Sequence, residues 1–298
     1  MIDGHEFALC LTHDVDRPYK GLHHALYDAV RGRSLSPLRS LLAGENPYWQ
    51  FEAIMELESE LGVRSAFYFL SDPGLIAERP KTLFRLTNWT QYLGRYDPAD
   101  EDIAAVIRDL DAGGWEVGLH GSVSSAINPE RLRREKFHLE SVLGHSVRGG
   151  RQHNLRLSVP ETWRSQAESG LEYDSTLGST TDNGFEHGYD VLEPLSGTFT
   201  VFPLTLMEQT LPDPGTEPEA AWRVCADLLA EAAEHEAVMT VLWHPRLFNE
   251  AEFPGYRTLY RRLVEAALDA GAWVGPPAAL LDRLDESSVR SVAVDPEW

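Results

Sequence analysis

Short β-rich runs alternate with longer helical stretches along most of this sequence, and that alternation restricts its fold more than any other feature. β-Rich runs fall at 7–12, 64–70, 115–119, 146–150, 199–206, 238–243 and 273–274. Between several of them, apolar residues recur three or four apart, as one face of a helix requires. Phe51, Ile54, Met55, Glu58 and Leu61 belong to one such helix, which is expected to turn its acids outward. A second covers 102–110 and stops at Gly113-Gly114; a third opens at Asn128-Pro129 and ends before Gly144. Segments 218–234 and 256–270 complete the set.

Mostly apolar strands separated by helices imply a parallel sheet covered on both faces. The chain has 298 residues and no Pro/Ser-rich linker, so one α/β domain over 1–285 is expected, with a polar tail at 286–298. Two segments interrupt the pattern: an insertion at about 20–48, and a Gly- and Thr-rich stretch at 175–197.

Charge excludes some partners. With 47 Asp and Glu against 26 Lys and Arg, the formal net charge is −21. Such a surface repels phosphate backbones, so no nucleic-acid partner is expected, and anionic membrane surfaces are disfavoured too. No apolar run reaches the length of a membrane span and no leader-like segment opens the sequence, so a cytoplasmic protein is expected. Cys10 and Cys225 each lie in an apolar context and read as small buried hydrophobes rather than a disulfide or metal pair.

The residues able to do chemistry follow the strands. They are Thr12-His13-Asp14-Val15-Asp16, Leu119-His120-Gly121-Ser122, Arg151-Gln152-His153-Asn154 and Leu242-Trp243-His244-Pro245. In a barrel of parallel strands all four places share the face where strand C-termini meet. If HDVD stays extended, Asp14 and Asp16 point one way and His13 and Val15 the other. One carboxylate can then ligate a divalent metal while the other takes a proton, although Asp16-Arg17-Pro18 also reads as an ordinary turn. His120 beside Asp16 suits a metal ligand, and otherwise a hydrogen-bonded core histidine. Arg151 could hold Asp14 ionised, or belong to a solvated loop. His244 suits a general acid against an apolar wall, and equally a structural histidine at a strand end.

At these places the sequence resembles the polysaccharide deacetylase family, the NodB-homology group of metal-dependent carbohydrate N-deacetylases. LTHDVD resembles its first motif, WEVGLHGS its second, RQHN its arginine motif and TVLWHP its Leu-x-His motif. RSAFYFL and GLEYDS (170–175) are further matches, and the resemblance extends from residue 7 to about 275. It implies a distorted (β/α) barrel with about seven parallel strands. The implied activity is hydrolysis of N-acetyl groups on a carbohydrate, assisted by one divalent metal, Zn²⁺ or alternatively Co²⁺ or Mn²⁺. In that reading Asp14 is the base, Arg151 its orienting partner, His244 the acid, and Asp16 and His120 are metal ligands.

The sequence departs from the family at Ser124, where the second metal histidine would stand. His153 is the expected third ligand, with Ser124 itself or water as alternatives. Two rival functions follow: a hydrolase of cyclic amide or ureide C–N bonds, and a non-catalytic glycan-binding relic. Trp49, Trp89 and Tyr92 could stack on sugar rings in the latter, or pack internally.

Overall fold

The computed structural model of the protein describes residues 4–21, 46–71, 96–195 and 199–284, with the backbone of 289–291. Trp89, Tyr92 and nearly all of the insertion at about 20–48 lie outside the described residues, as do the side chains of the expected tail. The strands are β1 (Ala8–Val15), β2 (Ala66–Leu70), β3 (Glu116–Gly121), β4 (Gly149–Gln152), β5 (Tyr173–Asp174), β6 (Val191–Leu195), β7 (Phe199–Val201), β8 (Leu204–Met207), β9 (Val238–Leu242), β10 (Trp273–Gly275) and β11 (Val289–Ser291).

Parallel pairings run β5–β4–β3–β2–β1–β9–β8, and β7 returns in parallel to β5. Because β7 and β8 are separated only by Phe202-Pro203, this circuit closes into a ring of seven parallel positions. The single run read at 199–206 is therefore one ring position broken at Pro203, where proline lacks the N–H that a ladder needs. Distortion comes from the two-residue β5, from β10 wedged beside the start of β1, and from β6, which is antiparallel to β7. β6 lies within the segment that showed little periodicity, and β11 pairs with β6 inside the expected tail.

Helices α1 (Phe51–Leu61), α2 (Glu101–Ala112), α3 (Pro129–Leu143), α4 (Glu161–Glu168), α5 (Pro218–Glu234) and α6 (Tyr256–Asp269) pack outside the ring. The expected start of α3 is realised: Asn128 Oδ1 accepts the Arg131 N–H, proline follows at the first turn, and Gly144 ends the helix at φ 93°. The eight-residue α4 is too short to repeat its buried Thr162, Trp163 and Gln166, so no apolar periodicity marks it in the sequence. Leu9, Leu11, Phe67, Phe69, Met239 and Val241 of the strands meet Phe51, Ile54, Ile107 and Leu263 of the helices in the main apolar cluster. Each fully buried side chain of this size contributes roughly 1.5–3 kcal/mol.

Glu58 corrects the outward-acid expectation. It is fully buried against β1 and β2, accepting from His13 Nε2 (3.0 Å), Tyr260 OH (2.6 Å), Ser65 Oγ (2.9 Å) and Trp115 Nε1 (2.7 Å). Four donors replace the water that burial removes, which is what a buried carboxylate requires. Cys10 and Cys225 are buried and free. Inside the ring, Cys10, Ala66, Tyr68, Tyr173, Phe202 and Val238 form a second cluster, closed by Ala278 and Leu280 of α7 (Pro277–Leu281).

No helix among the described residues is long and apolar enough to cross a membrane.

Candidate active site

Strand register assembles the site. His120 pairs across the sheet with Arg151 on one side and Leu70 on the other, while Asp14 stands opposite Tyr68. A Cβ on Gly150 would lie 1.8 Å from the Leu119 carbonyl oxygen, so only glycine lets β4 approach β3 here. The arginine motif starts within β4 rather than after it, because the strand lies at Gly149–Gln152 and not at 146–150.

Alternation along β1 does separate the side chains as the extended motif requires. His13 turns outward, its Nδ1 2.6 Å from the Trp243 carbonyl oxygen, whereas Asp14 and Asp16 line a cavity of about 430 Å³. Also on its wall are His120, His153, Asn154, Leu155, Thr180, Met207, Gln209, Leu242 and His244.

Three donor atoms converge there. Asp16 Oδ1 is 3.1 Å from His120 Nε2 and 2.9 Å from His153 Nδ1, and the two nitrogens are 3.0 Å apart. Around a tetrahedral Zn²⁺ with ligands at about 2.1 Å, donors stand about 3.4 Å apart. The trio therefore fits a divalent ion with an expansion of a few tenths of an ångström. Two imidazoles and a carboxylate are the right chemistry, and His120 Nδ1 lies 2.9 Å from the Arg151 carbonyl oxygen. A donor bond there leaves the Nε2 lone pair for the ion. Burial opposes ionisation of Asp16, yet hydrogen bonds from His120, His153 and His244 hold its carboxyl well below the usual range.

His153 reaches this position from a loop in which Asn154 and Leu155 both have positive φ, at 57° and 49°. Ser124 does not join the trio: it is exposed and does not line the cavity. Its turn is anchored by Ser122, whose Oγ donates to Glu135 (2.5 Å), and by Ser125, whose Oγ donates to Gln152 (3.0 Å).

Asp14 and Arg151 form a buried pair, Nη1 to Oδ1, at 2.8 Å. Burial raises the Asp14 carboxyl, but Arg151 and then His120 reverse this and leave it lowered. Arg151 is further held by three hydrogen bonds: Nε donates to the Ser175 carbonyl (2.7 Å), Nη2 to Ser175 Oγ (2.9 Å) and Nη1 to Thr12 Oγ1 (2.9 Å). His244 stands 3.4 Å from Asp16 Oδ2, and its Nδ1 is 2.6 Å from Glu208 Oε1. Burial disfavours the charged imidazole, but the Glu208 carboxylate overcomes it and the pKa rises to about 9.

Glu208 is the residue that sequence reasoning missed. It follows the C-terminal end of β8, so the rule that collected the other four clusters would have found it. Trp49 stays out of the site, its ring packed on Tyr19 and Phe51 and its Nε1 donating to Glu52.

No protein-family model matches the sequence, and no curated protein matches it. Solved structures do. A protein from Mycobacterium smegmatis assigned as a polysaccharide deacetylase superposes with a TM-score of 0.64 at 20% identity, covering 99% of this chain and 96% of that one. The chain has the polysaccharide-deacetylase fold. A protein from Pseudomonas aeruginosa PAO1 assigned to the same group superposes at 0.59 with 16% identity, over 94% and 91% of the two chains. An allantoinase, PuuE, gives the same values. Within the polysaccharide-deacetylase fold, this chain presents its titratable groups at the C-terminal ends of the ring strands, where such barrels carry their chemistry.

Proposed function

We propose that the protein is a metal-dependent hydrolase of carbon–nitrogen bonds that removes N-acetyl groups from a carbohydrate. The observation that carries this reading is the convergence in one cavity of the Asp16–His120–His153 trio, the Asp14–Arg151 pair and the His244–Glu208 pair. A divalent ion held by the trio supplies Lewis-acid polarisation of an acyl oxygen and of a water.

The chain's own residues do the proton chemistry. Arg151 occupies Asp14 Oδ1 and leaves Oδ2 without a hydrogen bond, so that this oxygen can accept a proton from the attacking water. His244, kept protonated by Glu208, is placed to give its proton to the departing nitrogen. Leu155, Met207 and Leu242 form an apolar wall beside these groups, limiting competing water. A relic that only bound glycans would have no use for base, acid and both of their orienting partners.

One observation favours a second reading within the same chemistry: the match to PuuE allantoinase, whose name denotes a cyclic ureide substrate. The test is acetate release from a panel of N-acetylated sugars, run beside ring opening of cyclic ureides, with wild-type protein and Asp14→Asn. Acetate release lost in the variant supports the deacetylase. Ring opening without acetate release selects the second reading, and neither activity in metal-loaded protein rejects both.

A further inference from the structure

His13 neighbours the proposed base on β1 but faces away from the cavity, fully buried among the rings of Phe67, Phe248 and Tyr260. Both of its ring nitrogens are engaged. Nδ1 lies 2.6 Å from the Trp243 carbonyl oxygen, and Nε2 lies 3.0 Å from Glu58 Oε1. A carbonyl oxygen only accepts, so the Nδ1–H is the donor of the shorter bond. Glu58 is held in turn by Tyr260, Ser65 and Trp115, and through Nε2 it fixes the orientation of the imidazole.

β1 and β9 are paired in register as far as Thr12 and Leu242, and the Trp243 N–H then donates to the Thr12 carbonyl at 2.9 Å. Past that point the chain leaves the sheet for the turn Pro245–Phe248, and Pro245 has no N–H to offer a neighbour. His244 stands at this exit. Its own carbonyl accepts from the Leu247 N–H at 3.1 Å, and the carbonyl before it is taken by His13. The backbone of His244 is therefore pinned on both sides, while Glu208 holds its ring. Packing alone does not call for this arrangement, because replacing a buried polar pair by apolar side chains of similar volume is often neutral or stabilising. A phenyl ring would fill the space among Phe67, Phe248 and Tyr260, but it could not grip a carbonyl.

We propose that His13, oriented by Glu58, is a positioning residue that seats His244 by fixing the peptide carbonyl before it. The consequence for catalysis rests on the proposed reading, in which His244 is the acid; the mechanical link itself does not. β1 then sets both ends of the proton chemistry, the base by carrying Asp14 and the acid through the residue next to it.

The experiment compares the full-length wild type with His13→Asn, His13→Gln and His13→Phe. The Asn amide N–H can stand in for Nδ1–H, keeping the bond to Trp243 and giving up Glu58. The Gln amide reaches the Nε2 position, keeping Glu58 and giving up Trp243. Phe fills the volume and keeps neither. Zinc content and melting temperature are measured on every sample, and zinc should equal wild type throughout. On an N-acetylated sugar that wild type turns over, His13→Asn should keep kcat within about threefold. His13→Gln and His13→Phe should lose about tenfold or more in kcat with KM nearly unchanged, since a misplaced group can cost about 10²-fold. A merely structural role would make the losses follow stability instead, with Asn, which leaves the largest void, the worst. Equal loss in Asn and Phe, a loss confined to KM, or full kcat in Phe would overturn the proposal.

A second readout needs no substrate. In metal-free protein the proton shared between His244 Nδ1 and Glu208 should give a downfield NMR resonance. It should hold its position in His13→Asn and shift or broaden in the other two variants; an unchanged resonance in His13→Phe would overturn the proposal. If wild type hydrolyses none of the sugars, the deacetylase reading fails, and this resonance decides alone whether His13 seats His244.

Discussion

Arg151 reaches Asp14 through a single oxygen. Its Nη1 lies 2.8 Å from Oδ1, while Oδ2 faces His120 Nδ1 at 3.9 Å, beyond hydrogen-bonding range. A bidentate grip would have tied up both oxygens and left a poor base. Ser175 and Thr12 accept from three of the other guanidinium N–H groups and hold the arginine in this one-sided pose. Charge is held at Asp14 while one oxygen remains available, and this separates its role from that of Asp16.

Asp14→Asn should therefore keep the metal and lose turnover by about 10²–10⁴-fold, the usual range for a positioned base. Elemental analysis and initial rates on one preparation check both halves. Full activity in Asp14→Asn would show that another group takes the proton.

Metal content should fall well below one equivalent in Asp16→Ala, His120→Ala and His153→Ala, but not in Ser124→Ala. The reason is position: the first three supply the converging atoms, whereas Ser124 is exposed outside the cavity. Zinc retained by His153→Ala and lost by Ser124→Ala would reverse the assignment.

The Glu208–His244 pair should be visible by NMR in metal-free protein, with the imidazole losing its proton near pH 9. Glu208→Gln removes the carboxylate that overcomes burial, so this midpoint should drop toward the ordinary 6.5. With less acid form at neutral pH and a less well-held ring, turnover should fall about tenfold or more. An unchanged midpoint would detach Glu208 from the acid.

How far the sequence reached depends on the distance over which each feature is encoded. Asp14 and Asp16 sharing a face follows from two-residue alternation within one strand, so it could be read locally. The same holds for the Asn128 cap and the closing Gly144. Glu58 shows the opposite case. Its position falls on the apolar stripe of α1, but its charge argued for the surface. The donors that make burial tolerable, Tyr260 among them, lie as far as 202 residues away. Likewise the break at Pro203 divides one apolar run between two partners, β5 and β9, and neither choice is written in the run itself.

Glu116 provides a test of the ring interior that needs no substrate. Its carboxylate accepts from Tyr173 OH (2.6 Å) and from the Ala278 N–H (3.0 Å), and Tyr173 OH contacts Tyr68 OH at 3.0 Å. Burial raises its pKa from 4.5 to about 7, more than the hydrogen bonds from Tyr173 and Ala278 and the charge of Arg148 can offset. In the unfolded chain the group ionises near its ordinary value, so between about pH 4.5 and 7 the folded state holds the extra proton. Its contribution to stability is thus complete below pH 4.5 and is lost as pH rises through about 7. Glu116→Gln keeps the shape, cannot ionise, and should remove that part of the slope. Melting curves should show the variant gaining on wild type by about 5 °C between pH 5 and pH 8, since 1 kcal/mol moves a chain of this size by only a few degrees. A constant difference across that range would mean that Glu116 titrates alike in the folded and unfolded chain.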